Sequence, residues 1–153
     1  MANITVRTID CHIMMWDKNI PKYLLLKRSD NKLYPDVWQC VTGKIKKNEK
    51  SYKAALRELN EETGLRAKKM WVIDRVNFFF ESQENRMNII PVFGVEINFQ
   101  PIVLSSEHKD YKWCNINSAI RLLLWNQQKE GLRSFHDMLI KKSKKLEFSR
   151  VII

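Results

Sequence analysis

Two glycines and five charged residues at fixed intervals constrain this chain more than anything else in it. The stretch from Gly43 to Leu65 reads GKIKKNEKSYKAALRELNEETGL. Five residues separate Gly43 from Glu49, and seven more separate Glu49 from the run Arg57-Glu58-Leu59-Asn60-Glu61-Glu62-Thr63-Gly64-Leu65. Ser51 can cap a helix, Ala54, Ala55, Leu56 and Leu59 favour one, and Gly64 supplies the left-handed residue that ends it. At about 100° per residue, Tyr52, Ala55, Leu56 and Leu59 form one apolar stripe, with Glu58, Glu61 and Glu62 along its edge. Two carboxylates ~6 Å apart at an effective dielectric of ~20 repel by about 3 kcal/mol, a cost that a hard divalent cation removes. Oxygen-only ligands suit Mg2+, with Mn2+ as a substitute. A solvated acidic face would cost only ~0.2–0.5 kcal/mol per pair, but it explains neither Gly43, Arg57 and Gly64 nor their spacing.

That spacing matches the Nudix box at every constrained position, a coincidence expected on the order of once in 10^9 starting points at roughly 6% usage per fixed residue. The chain therefore resembles the Nudix hydrolases. The resemblance implies an α/β fold, the Nudix-type α/β/α sandwich with a mixed β-sheet, and an enzyme that breaks a phosphoanhydride bond by attack of water at phosphorus. It implies that Glu58, Glu61 and Glu62, with the Gly43 carbonyl, hold the metal. It also implies that Arg57 pairs with Glu49 and steers the carboxylates, so that Glu49 and Gly64 are structural. The general base falls to Glu62 or Glu107, with His108 as a third candidate, because members of the family use different positions.

The rest of the sequence fits one domain over residues 1–153, a length that supports its own core. Val6 to Trp16 and Tyr23 to Lys27 read as strands, and the short polar link between them favours a hairpin. Met70 to Glu81 and Met87 to Asn98 read as two more strands joined by a turn at Ser82 to Arg86, with Pro91 marking an edge or a bulge. Asn117 or Ser118 is expected to cap a helix through Trp125, and Leu132 to Lys142 forms the last helix. Cys11, Cys40 and Cys114 are an odd number without a CxxC pair, as expected of reduced core thiols. The absence of a long apolar run and of a signal-peptide pattern predicts a cytoplasmic protein without a membrane partner.

A net charge of +10 points to an anionic partner. Much of it lies in Lys141, Lys142, Lys144 and Lys145, read as a solvated tail rather than a nucleic-acid surface. Trp38-Gln39-Cys40-Val41-Thr42-Gly43 and Glu107-His108 with Tyr111-Lys112-Trp113 resemble the dihydroneopterin triphosphate pyrophosphatase and dATP pyrophosphohydrolase branch of the family. That likeness implies a small-molecule triphosphate substrate held by Trp38, Gln39, Lys27 and Arg28, in a monomer or homodimer. Two alternatives stand beside it: hydrolysis of a dinucleoside polyphosphate or an RNA 5′ end, and a binding module without turnover.

Overall fold

Lys18 and Asn19 turn the chain at positive φ values of 48° and 66°, the paired conformation that suits a two-residue hairpin. In the computed structural model, which describes residues 1–153, that turn joins β2 (Thr8–Asp17) to β3 (Ile20–Arg28), the hairpin expected from the two apolar runs. β2 also pairs antiparallel with β5 (Val41–Lys44) and parallel with β7 (Arg86–Glu96). β7 carries β6 (Lys69–Glu81) antiparallel and the short β1 (Asn3–Thr5) parallel. β3 takes β4 (Trp38–Gln39) and β8 (His108–Cys114), and β9 (Arg150–Val151) closes on β6. The result is one mixed sheet of nine strands.

Strand alternation sends side chains to two separate cores. Ile9, Cys11, Ile13, Leu24, Leu26, Phe93 and Val95 lie under α1 (Ser51–Thr63) against Ala54, Ala55 and Leu59. Met14, Tyr23, Leu25 and Val92 lie on the other face beneath α2 (Ile116–Leu122) and α3 (Asn126–Ile140), against Ala119, Leu132 and Phe135. The α/β/α sandwich is thus the observed architecture. Helix α3 approaches so closely that a Cβ on Gly94 would stand 2.6 Å from the Phe135 ring. The three cysteines are buried and free, and no helix is long and apolar enough to cross a membrane.

Several boundaries differ from expectation, each for a local reason. The residue preceding α1 is Lys50, with extended φ and ψ and no side-chain cap, so Ser51 is already helical. Asn115, rather than Asn117 or Ser118, caps α2 by accepting from the Ser118 amide at 2.9 Å. α3 starts at Asn126, six residues before Leu132, because its first turn is polar and carries no apolar period. The strand pairing of β6 is irregular between Val72 and Val76, beside Pro91, which cannot donate a ladder hydrogen bond. The basic tail is docked rather than free: Lys145 pairs with Asp74 at 2.8 Å, at the start of the short α4 (Lys145–Phe148) that leads into β9. On the outer edge of β6, Gln127 replaces a neighbouring strand. Its Oε1 accepts from the Phe78 amide at 2.7 Å, and its side-chain amide donates back to the Phe78 carbonyl.

His12 is 2% exposed, its Nε2 has no hydrogen-bond partner, and a Cβ on Gly131 of α3 would come within 2.9 Å of that nitrogen. Burial lowers its pKa from the ordinary 6.5 to about 3, so the ring is neutral when folded and protonates readily only when unfolded. The contribution of this histidine to stability is therefore complete above pH 6.5 and shrinks as the pH falls toward 3. His12→Leu should flatten that decline. Measured by denaturant unfolding, the variant is expected to gain about 2–3 kcal/mol on the parent between pH 7 and pH 4.5. Parallel pH profiles for the two proteins would refute the assignment.

Candidate active site

The guanidinium of Arg57 organises one wall of the site. Its Nε and Nη2 bind both oxygens of Glu49, at 2.8 and 3.0 Å, in the fork geometry that only arginine offers. Nη1 donates to Glu58 at 2.8 Å and to Glu61 at 3.1 Å, and Nη2 also donates to the Lys44 carbonyl at 2.8 Å. Glu49 additionally accepts from the Lys46 amide at 2.8 Å. The Arg57 hydrogen bonds, with that amide, hold the Glu49 carboxyl at about 2. One side chain thereby ties the end of β5, the loop after it and the outer face of α1 together. Gly43 lies against the same helix, where any Cβ would overlap the Glu58 carboxyl.

One turn after Glu58, Glu62 points inward and is only 2% exposed. Burial raises its pKa to about 9, with further contributions from the Glu58 and Glu107 charges. Burial also raises Glu58, against the pull of Arg57. Glu62 Oε2 has no hydrogen-bond partner. The loop before β8 is laced to the end of α1 by backbone bonds from Val103 to the Thr63 carbonyl at 2.9 Å and from Ser105 to the Glu62 carbonyl at 3.3 Å. That lacing delivers Glu107 and His108, so that ligand atoms of Glu62, Glu107 and His108 lie within 4.8 Å of one another. His108 is buried, bonded through Nε2 to the Gln39 amide at 2.9 Å, and its Nδ1 has no partner. Burial and the Arg28 charge lower it to about 4, leaving a neutral ring.

The residues singled out in the sequence fall into two groups. Glu58, Glu62, Glu107, His108, Gln39 and Arg28 gather on the α1 side of the sheet. Glu61 is half exposed and is held by Arg57. Trp38 and Lys27 face each other across β4 and β3, on the same side as Leu25 and therefore on the opposite face. Two ammonium groups lie over the Trp38 ring, Lys27 at 5.6 Å and Lys112 at 5.1 Å from its centroid. The Gln39 amide is engaged by His108. Lys112 and the Lys44 carbonyl were not anticipated. Period-two alternation from Leu25 to Lys27 could have separated Lys27 from Arg28, but the pairing of β8 with β3 has no local sequence signal.

Residues 7–135 match the NUDIX domain family. A mouse bis(5′-nucleosyl)-tetraphosphatase (asymmetrical) is 29% identical over 126 residues, covering 80% of this chain and 84% of that protein. A dihydroneopterin triphosphate diphosphatase of Haemophilus influenzae is 27% identical over 142 residues, with the same coverage. The crystal structure of a C. elegans Ap4A hydrolase binary complex superposes with a TM-score of 0.73 at 22% identity, over 90% of this chain and 99% of that one.

Arg57→Lys should retain a positive charge but lose the fork that reaches Glu49, Glu58 and the Lys44 carbonyl together. Turnover is expected to fall by at least about tenfold, or 1.4 kcal/mol, with little change in far-UV circular dichroism. Parental turnover in this variant would show that a point charge suffices.

Proposed function

The chain belongs to the Nudix hydrolase family, and from that premise we propose a Mg2+-dependent pyrophosphohydrolase that cleaves a nucleoside or pterin triphosphate, such as dATP or dihydroneopterin triphosphate, between its α and β phosphates. The observation that carries the proposal is Glu62. A carboxylate buried this deeply beside Glu58 and Glu107, with one oxygen unpartnered, stays protonated unless a cation joins it. Two carboxylates with converging oxygens, beside the imidazole of His108, fit such a cation, and the oxygens favour a hard one. Glu62 and Glu107 would hold it, Glu58 and Glu61 would add anionic charge from the next turns of α1, and the Gly43 carbonyl lies beside them. When bound, the cation would neutralise the phosphate chain and polarise the attacking water.

The chain's own groups account for the remainder. Water attacks the α-phosphorus, the anhydride P–O bond to the β-phosphate breaks, and pyrophosphate leaves. Glu107 is half-buried at the mouth of the cluster and takes the water's proton. His108, neutral and anchored by Gln39, fixes the start of β8 beside it. Arg28 supplies positive charge next to Glu62 and His108, suited to a phosphate oxygen. Support for the substrate comes from the two stretches Trp38 to Thr42 and Glu107 to Trp113, and from the Haemophilus relative named for dihydroneopterin triphosphate.

A second reading has its own observation. The Lys27, Trp38 and Lys112 stack, on the far face of the sheet, offers cations and an aromatic ring to a second nucleoside, and the mouse relative is named for a bis(5′-nucleosyl) tetraphosphate. Comparing kcat/KM for dATP and dihydroneopterin triphosphate with that for diadenosine tetraphosphate decides between them. The first reading expects the triphosphates to lead, and a tenfold preference for the dinucleotide, about 1.4 kcal/mol, selects the second.

Glu62→Gln and Glu61→Gln should each lower turnover by about 10^2 or more at saturating Mg2+, roughly 3 kcal/mol of barrier. Because Glu62 is already protonated without metal, Glu62→Gln should melt no lower than the metal-free parent. Near-normal turnover in both variants would remove the metal site from these residues.

A further inference from the structure

The α1 side of the sheet continues beyond the helix as an uncovered apolar face. Phe80 of β6, Met87 of β7 and Ile4 of β1 stand in one row, Phe78 and Ile89 in the next, and Val76 and Pro91 in the last. Met87, Ile89 and Pro91 alternate in step with Phe93 and Val95, which α1 covers. Ile4 is 72% exposed, Phe78 57% and Phe80 51%, and Val6 and Val76 are similarly open. Taking roughly 200 Å² for a fully open large side chain, these five expose roughly 500 Å² of apolar surface. That is near the largest patch a monomer ordinarily shows, ~300–600 Å². The half-buried Met87, Ile89 and Pro91 extend the face toward the ~800 Å² per partner of a standard interface.

The face also carries a projection and a recess. At one end, Val76 and Pro91 form part of the wall of a cavity of about 440 Å³, with Val72 and Phe148. At the other end, four residues along β6 and so ~13 Å away, stands Phe80. A two-fold axis through the central row of Phe78 and Ile89 would lay Phe80 of each copy over the Val76 end of the other, the reciprocal contact that a closed dimer requires. The edge of β6 is less open to lateral pairing, because Gln127 occupies the Phe78 backbone groups. We propose that this face of β6, β7 and β1 is a self-association surface whose occupant is a second copy of this chain, with Phe80 of each copy seated against the cavity of the other.

Light scattering on the full chain across a concentration series tests this. At about 100 µM, where a dimer of Kd about 10 µM is mostly assembled, the weight-average mass of the parent should approach twice its 18.3 kDa. Phe80→Asp and Ile4→Asp should each weaken association at least about tenfold. Ile140→Asp, an exposed apolar site outside the face, should leave it unchanged. Circular dichroism checks folding, and Ile4→Asp, at an open position on a three-residue strand, decides the matter if Phe80→Asp does not fold. A parent that stays monomeric would overturn the proposal and leave the face to a different occupant. A dimer that both substitutions leave intact would overturn it too, by placing the interface elsewhere.

Discussion

The grip of Arg57 on Glu49 is the interaction on which the site depends. Without it, Glu58 and Glu61 of α1 would lose the cation they share, and Glu49 in the loop after β5 would keep only the Lys46 amide. With it, Glu49 is pinned in two places, and Glu58 and Glu61 are turned toward one cation while Glu62, out of reach on the inner face, is left to the core. The pairing also fixes the distance between the helix and β5, where Gly43 leaves just enough room for the Glu58 carboxyl. Spacing in the sequence and spacing in space are therefore one constraint: the residues between Lys44 and Arg57 form the loop and the first turns of α1 that let a single guanidinium reach back to the Lys44 carbonyl.

Glu62 shows why the carboxylates of such a site are unequal although their side chains are identical. Glu61 is half open to water and shares the Arg57 guanidinium. Glu62, next along the chain, points into the sheet and cannot carry its charge alone. A helix places consecutive residues about 100° apart, so one residue's step moves a carboxylate from solvent to core. Burial therefore keeps Glu62 protonated until positive charge arrives beside it.

Much of this was legible in the sequence because local rules determine it. The helix from Ser51 to Thr63, its end at Gly64, the β2–β3 hairpin and the discontinuity near Pro91 all follow from periodicity and turn chemistry. What escaped depends on contacts between distant segments. The meeting of His108 with Gln39 and the approach of Glu107 to Glu62 rest on β8 joining β3, which no local pattern announces. Alternation along β3, with β4 paired beside it, sends Lys27 and Trp38 to the face opposite the carboxylates, so four residues grouped as substrate contacts belong to two surfaces. α1 begins after Lys50 without a side-chain cap, and the capping role at α2 passed from Asn117 or Ser118 to Asn115, because each helix begins where tertiary packing sets it.

Gln127 has a consequence of another kind. A glutamine amide can donate and accept at nearly the spacing of a peptide group, so at Phe78 the sheet ends on a side chain that imitates main chain. A further strand arriving along β6 would have to evict a side chain rooted in the first turn of α3 before its own ladder could form. In a chain whose β6 carries three consecutive phenylalanines, that single amide obstructs the route to fibrils, in which every added molecule would extend the same ribbon.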